Sequence, residues 1–220
     1  MYKRGPYKQY DKQSEYWNRF VYGVGINDAD YTVSKHVRGL GGKEVWRCPY
    51  YTRWNGILRR CYDEKYHIRQ PHYKGCSICE EWKTFSNFKR WMEQQDWEDK
   101  HIDKDILVPG NREYGPTTCL FVSKDLNNLI LENHTKEKKY STGVEETKEG
   151  RFKVQVNQHA GKTYLGCYDT IEEALEVHNK AKSEYIIEVA NGLTTEDTSD
   201  VERTREALIR HAGILVEQNV

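Results

Sequence analysis

The chain has 220 residues, with 34 Lys and Arg balanced by 34 Asp and Glu, and 37% of it is hydrophobic, including 12% aromatic residues. That apolar share excludes a wholly disordered chain, and the absence of any run of about 18 apolar residues excludes a helical membrane span, which leaves one or two globular domains and no membrane partner. The first residues, MYKRGPYKQY, hold no apolar signal-peptide core, so a soluble cytoplasmic protein is expected.

Charge is unevenly spread. Residues 1–74 carry 15 Lys and Arg against 7 Asp and Glu, residues 75–140 carry 10 against 12, and residues 141–220 carry 9 against 15. A basic first third suits a polyanionic partner. In the acidic last third, any contact with nucleic acid has to come from one face of a module.

Residues 1–45 are rich in Tyr, Gly and charge and read as a basic, irregular region with short strands. From Pro49, the positions Tyr50, Trp54, Ile57, Leu58 and Cys61 in YYTRWNGILRRCY recur at helical spacing, with Arg53, Arg59 and Arg60 on or near the polar side. Pro71 and Gly75 mark a loop. Trp82, Phe85, Phe88, Trp91 and Met92 predict a second amphipathic helix, its aromatics serving as core. HIDKDILV (101–108) reads as a strand, PGNREYGP as a turn-rich loop, TTCLFV as a second strand, and KDLNNLIL as a helix with Ser123 at its N-cap. Polar HTKEKKYS (134–141) reads as a linker. Beyond it, GVEET, RFKVQVN and KTYLGCYDT are strands separated by turns. TIEEALEVHNKAKSEYIIEVA is a helix capped by Thr170 with Glu173 three residues on. A second polar stretch, TTEDTSD, leads to a short terminal helix around VERTREALIRHA. The expected division is therefore 1–45, a domain at 46–133, a linker at 134–141, a second domain at 142–193, and a helix at 200–220. The fold class is α+β.

Hydrolysis of a phosphodiester needs an activated water and a cation that stabilises the leaving oxygen. A hard ion such as Mg²⁺ takes oxygen donors and few protein groups. Asp103 on the first strand and Asn127 on the helix offer that donor pair. Acidic DxD pairs are common on solvated strands, so Asp103 and Asp105 alone would be ordinary surface. The segments HIDKD and FVSKDLN, however, resemble the ββα centre of phage HNH (His-Me finger) homing endonucleases, and the wider run through YYTRWNGILRRCY, GCSICEEW and DKDILVPGN resembles the same group. The resemblance implies a phage-encoded, metal-dependent DNA endonuclease with its metal Asp on Asp103 and its metal Asn on Asn127. The family's general-base His falls on position 104, where this chain has Lys104. A Lys is ordinarily protonated near neutral pH, so Lys104 serves as the base only if strongly perturbed, or contacts the phosphate instead, and His101 and Asp105 are the nearest alternatives. On a regular strand, His101, Asp103 and Asp105 share one face and Lys104 points to the other. The rival reading is a non-catalytic DNA-binding protein or repressor built on a decayed nuclease.

Cys76 and Cys79 have the knuckle spacing of a structural Zn²⁺ site. Cys61 and Cys119 could complete it, or His67 or His72 could replace one thiol. The alternative is buried thiols beside Trp82 and Phe85.

In the second module, Phe152, Val154 and Val156 alternate with Arg151, Lys153, Gln155 and Asn157, so one face carries apolar residues and the other a row of donors. The run with Gly143-Val144, Gly150-Arg151-Phe152, Tyr164-Leu165-Gly166, Tyr168-Asp169-Thr170 and Glu173-Ala174 resembles the plant ethylene-response-factor (Apetala-type) DNA-binding domain, a three-stranded antiparallel sheet plus helix that lays its sheet in the major groove. The resemblance places double-stranded DNA contacts on Gln155, Asn157, Lys162 and Tyr164. Arg151 and Lys153 suit phosphates. A protein-interaction module would fit the sheet but not the placement of Asp103 and Asn127. With 134–141 as a linker, a fragment ending near Tyr140 is expected to keep metal-dependent nicking without site preference.

Overall fold

A computed structural model of the chain describes residues 20–37, 43–130, 143–158 and 161–217. It is mixed helix and sheet, in agreement with the expected α+β class, and it divides into two compact units, Met1–Glu93 and Gln94–Val220. No helix among the described residues is long and apolar enough to cross a membrane. The expected linker at 134–141 lies outside the described residues.

In the first unit, β1 (Ser34–Val37) and β2 (Lys43–Arg47) form an antiparallel hairpin. Helix α1 (Pro49–Tyr62) starts with Pro49 in its first turn, where a missing N–H costs nothing, and buries Trp54, Ile57, Leu58 and Cys61 at the predicted spacing. The Trp54 indole Nε1 donates to the Trp82 carbonyl at 2.7 Å, and the Trp54, Tyr51 and Phe85 rings cluster 5.4–5.6 Å apart. Helix α2 (Glu64–Arg69) falls in a stretch that the sequence marks only as approaching a loop. It buries nothing, so it leaves no hydrophobic period, and it is held by the Asp63 carboxylate, which accepts the Lys65 and Tyr66 N–H groups. The short strand β3 (Ser77–Ile78) follows.

The helix expected through Trp82–Met92 is broken. Glu81–Lys83 form a single 3₁₀ turn and α3 runs from Phe85 to Met92. The cause is a bridge: Ile26 N–H donates to Lys83 at 2.7 Å and Phe85 N–H donates to Ile26 at 2.9 Å, which holds Thr84 extended. The Asp28 carboxylate then takes the Ser86 N–H at 2.9 Å in the first turn of α3.

In the second unit, β4 (His101–Asp103) pairs antiparallel with β6 (Leu120–Val122), His101 opposite Val122 and Asp103 opposite Leu120. The short β5 (Glu113–Tyr114) comes between them in the chain and is not part of this two-stranded sheet. The strand expected over 101–108 stops at Asp103 because the Asp103 carboxylate turns back and accepts the Asp105 and Ile106 N–H groups at 2.8 and 2.7 Å. Helix α4 (Lys124–Ile130) begins after Ser123, whose hydroxyl accepts the Leu126 N–H at 3.3 Å as its predicted cap.

The sheet β7 (Val144–Glu146), β8 (Phe152–Gln158) and β9 (Gly161–Tyr168) is antiparallel in the order β7-β8-β9. Helix α5 (Ile171–Gly192) is one uninterrupted element of 22 residues, with the Thr170 hydroxyl accepting the Glu173 N–H at 3.3 Å, and α6 (Val201–Glu217) is longer than the sequence suggests at 17 residues. Two apolar clusters lie along α5. Near its start, Ala174 packs with Val144 and Val154 of the sheet. Near its end, Ile186 and Ala190 join Ala207, Leu208 and Ala212 of α6 and Ile106, Leu120, Val122 and Leu126 of the ββα segment. The stretch after α5 also lines the free edge of β6: Ser199 N–H donates to Phe121 at 2.8 Å and Ser123 N–H to Asp197 at 2.6 Å. Thus α5 and α6 complete the core of the ββα hairpin.

Candidate functional site

The β4–β6 register places His101 and Asp103 on one face of the hairpin with Leu120 and Val122. Leu120 and Val122 lie in the core with Leu126 of α4, and α4 packs on β4, so Asp103 sits at the rim of that core. Burial pushes its carboxyl above the ordinary value, and the charge of Asp105 adds to this, while the two backbone N–H groups and Lys104 oppose it. One carboxylate oxygen, Oδ1, takes both amides. Asn127 is half-buried in the first turn of α4, beside Leu126. His101 is exposed at the open end of the strand.

Lys104, at the position of the expected base, is buried. Its ammonium donates to the Asp105 carboxylate at 2.6 Å and to the Asn111 carbonyl at 2.7 Å, and lies 5.8 Å from the centre of the Tyr114 ring. These two short contacts tie Lys104 to the loop that follows β4, so it anchors that loop. Asp105 is correspondingly engaged as the partner of Lys104, and it lies in the turn after β4, away from the strand parity that grouped it with His101 and Asp103.

Asn111, which the sequence reading passed over, organises the same loop. Its side-chain amide donates to the Lys104 carbonyl at 2.9 Å and to the Glu113 carbonyl at 2.7 Å, and its oxygen accepts the Glu113 N–H at 3.1 Å. The signal was the Gly110-Asn111 pair inside a turn-rich loop, where an Asn commonly bonds nearby backbone.

The chemistry of Asp103 and Asn127, both oxygen donors, fits a hard divalent cation such as Mg²⁺. A buried carboxylate whose charged form is disfavoured gains from such a counter-ion. Among the described residues, no group of three or more His, Cys, Asp and Glu is arranged to hold a metal. None of the cysteines among the described residues forms a disulfide: Cys61, Cys76 and Cys119 are buried, and Cys79 is half-buried. Burial beside Asp103 pushes the Cys119 thiol up to about 12. His67 is tied to the end of α1, its Nε2 lying 2.7 Å from the Arg60 carbonyl, and the His72 ring lies tilted against that of Tyr73, their centroids 4.2 Å apart.

In the sheet, directly opposed residues share a face. Val154 and Val156 are buried against α5, and Lys153 opposite Cys167, Gln155 opposite Tyr164 and Asn157 opposite Lys162 point the other way. A bulge between Val154 and Gln155 leaves Leu165 as the extra residue of β9 and keeps Gln155 and Tyr164 in step. Tyr164 is 59% exposed. The entry into β7 needs a glycine: Gly143 has φ +112°, and a Cβ there would collide with the Gln155 carbonyl and the His178 ring. Arg151 stands just before β8, its guanidinium donating to the Asp169 carboxylate at 2.7 Å and to the Cys167 carbonyl at 2.9 Å, so it braces the edge of the face. Helix α5 covers the inner side of the sheet, which takes its exposed acids, Glu172, Glu173 and Glu176, away from the outer row.

No protein family, curated protein or solved structure matches the chain.

Proposed function

We propose that the protein is a metal-dependent DNA endonuclease of the phage HNH type, whose Asp103 and Asn127 hold a divalent cation and whose β7-β8-β9 sheet selects the site on double-stranded DNA. The observation that carries this reading is the ββα unit itself: an antiparallel hairpin with a buried carboxylate at the end of its first strand, followed at once by a helix with an amide in its first turn. Mg²⁺ bound there would supply positive charge for the leaving 3′ oxygen. Asp103 and Asn127 bind and orient. His101, on the same strand face as Asp103 and open to solvent, takes the proton of the attacking water at its imidazole. Lys104 and Asn111 keep the loop in shape. The outer row of Lys153, Gln155, Asn157, Lys162 and Tyr164 supports DNA reading by the sheet.

One observation favours a second reading. The anchoring of Lys104 to Asp105 and Asn111 leaves no base at the family's position, as in a nuclease that has become a DNA-binding protein. Incubation with plasmid DNA, with and without Mg²⁺, separates the two. The nuclease reading expects Mg²⁺-dependent nicking that is lost in Asp103→Ala and Asn127→Ala and reduced at least a hundredfold in His101→Ala. Binding without nicking in the unaltered protein establishes the second reading, and unimpaired nicking by Asp103→Ala removes the assigned centre.

A further inference from the structure

Helix α5 runs without a break from the sheet to the ββα core. Its first turns pack under the sheet through Ala174, and His178 lies beneath Gly143 where the chain enters β7. From Ser183 onward it belongs to the other cluster: the Ser183 hydroxyl donates to the Ala212 carbonyl at 3.0 Å, and Ile186 and Ala190 pack with Leu120, Val122, Leu126 and Leu208. Between these two sets of contacts lie four residues, Asn179–Lys182, all helical. At 1.5 Å per residue, Ala174 and Ile186 stand about 18 Å apart along the axis, roughly five base-pair rises of DNA. A groove of about 750 Å³ separates α4 from the tip of β8, with Asp125 and Asn128 on one side, Asn157 and Gln158 on the other, and Glu188 of α5 along it. The sheet and the ββα hairpin are therefore held apart across an open groove and joined by a rigid rod packed at both ends.

We infer that α5 is a rigid spacer that fixes the distance and rotational phase between the DNA sequence read by the sheet and the phosphodiester presented to Asp103 and Asn127. The inference rests on the endonuclease reading above. A packed helix with no interruption transmits both translation and rotation, because each added residue advances it by about 1.5 Å and turns it by about 100°. The protein accordingly cuts at one offset from its recognition sequence, and that offset is set by α5 and not by the connection at residues 134–141.

The test compares two insertions of the same seven residues in the full chain. Seven residues of helix add about 10.5 Å and nearly two whole turns, which restores the facing of both halves to within about 20°. Inserted between Lys180 and Ala181, they should move the cut by up to about three base pairs on DNA of defined sequence, the displacement along the duplex being the part of about 10.5 Å that lies on its axis. Inserted at residues 137–138, within the polar stretch, they should leave the cut where it was. A cut that moves or spreads with the 137–138 insertion overturns the inference, as does an unmoved cut with a folded α5 insertion. If the α5 variant does not fold, the 137–138 variant still decides. If the unaltered protein binds without cutting, the nuclease reading falls and the spacer is read from the hydroxyl-radical footprint, which should lengthen by up to about three base pairs in the α5 variant alone.

Discussion

Asp103 shows how one side chain can shape a turn and still be available for chemistry. Its Oδ1 ends β4 by capturing two amides, and its burial makes the ionised form costly. The direction of the shift sets a sign. The folded-state pKa lies above the ordinary 3.8, so between the two values the native state holds the proton more tightly and stability falls as pH rises. Above that window the destabilisation is fully present. Asp103→Asn keeps an oxygen for the two amides and removes the charge, so near neutral pH it should raise the melting temperature. The gain should vanish below about pH 4, while Mg²⁺ should stabilise the unaltered protein and leave Asp103→Asn unmoved. Thermal melts across pH, with and without Mg²⁺, check all three. The thiols supply a second measurement. Cys119 is buried and pushed up to about 12, whereas Cys167 is half-buried on the outer face of the sheet opposite Lys153. Alkylation at pH 8 should spare Cys119 in the native protein and modify Cys167, and bound duplex DNA should slow the Cys167 reaction at least several-fold. Equal rates with and without DNA would place the duplex elsewhere.

At the scale of elements, the outer row of β8 and β9 divides into cations and amides. On the proposed DNA reading Lys153 and Lys162 meet phosphates, so Lys153→Ala should weaken binding alike on all sequences and lower the slope of log affinity against log salt by about one. Gln155 and Tyr164 stand side by side in register, and Gln155→Ala should lower discrimination between target and non-target DNA by roughly 1–3 kcal/mol with the salt slope unchanged. Competition binding at several salt concentrations separates the two effects. Losses that are equal on every sequence for both variants would mean that the sheet contacts the backbone alone.

At the scale of the whole molecule, the ββα hairpin does not carry its own core. Leu120, Val122 and Leu126 are covered by Ile186, Ala190, Ala207 and Leu208, and α6 also reaches back to the hairpin: Arg203 donates to the Thr117 carbonyl at 2.6 Å, Arg210 donates to the Leu107 carbonyl at 3.2 Å, and the His211 Nε2 lies 3.1 Å from the Ile106 carbonyl. A fragment ending at Tyr140 strips that cover. Contrary to the expectation from the polar stretch at 134–141, it should lose ordered structure in the segment 101–130 and lose nicking with it. Leu208→Ala, far along the chain from Asp103, should cost about 2–5 kcal/mol through the cavity it leaves and should lower nicking in parallel with stability. Hydrogen exchange of the 101–130 segment in the fragment and in Leu208→Ala, beside plasmid nicking, checks both. A fragment that keeps protected amides there would show that the hairpin folds alone.

The local elements were legible in the sequence by itself where local physics sets them. Four apolar positions at helical spacing define α1, Ser123 and Thr170 cap α4 and α5, and strict alternation in β8 separates Val154 and Val156 from the donors Lys153, Gln155 and Asn157. Asp103 and Asn127 could be singled out because oxygen donors flanking a hairpin are a chemical pattern as well as a structural one. Contacts distant in sequence were not legible. The break before α3 comes from Ile26, the end of β4 comes from a carboxylate turning back on its own backbone, and the fate of Lys104 comes from Asn111 and Asp105 closing around its ammonium. The largest departure has the same origin. A polar stretch reads as a boundary because hydropathy records which residues avoid water, but not which apolar surfaces cover one another. Only the tertiary structure decided that α5 and α6 bury the hairpin, because that burial joins residues about a hundred positions apart.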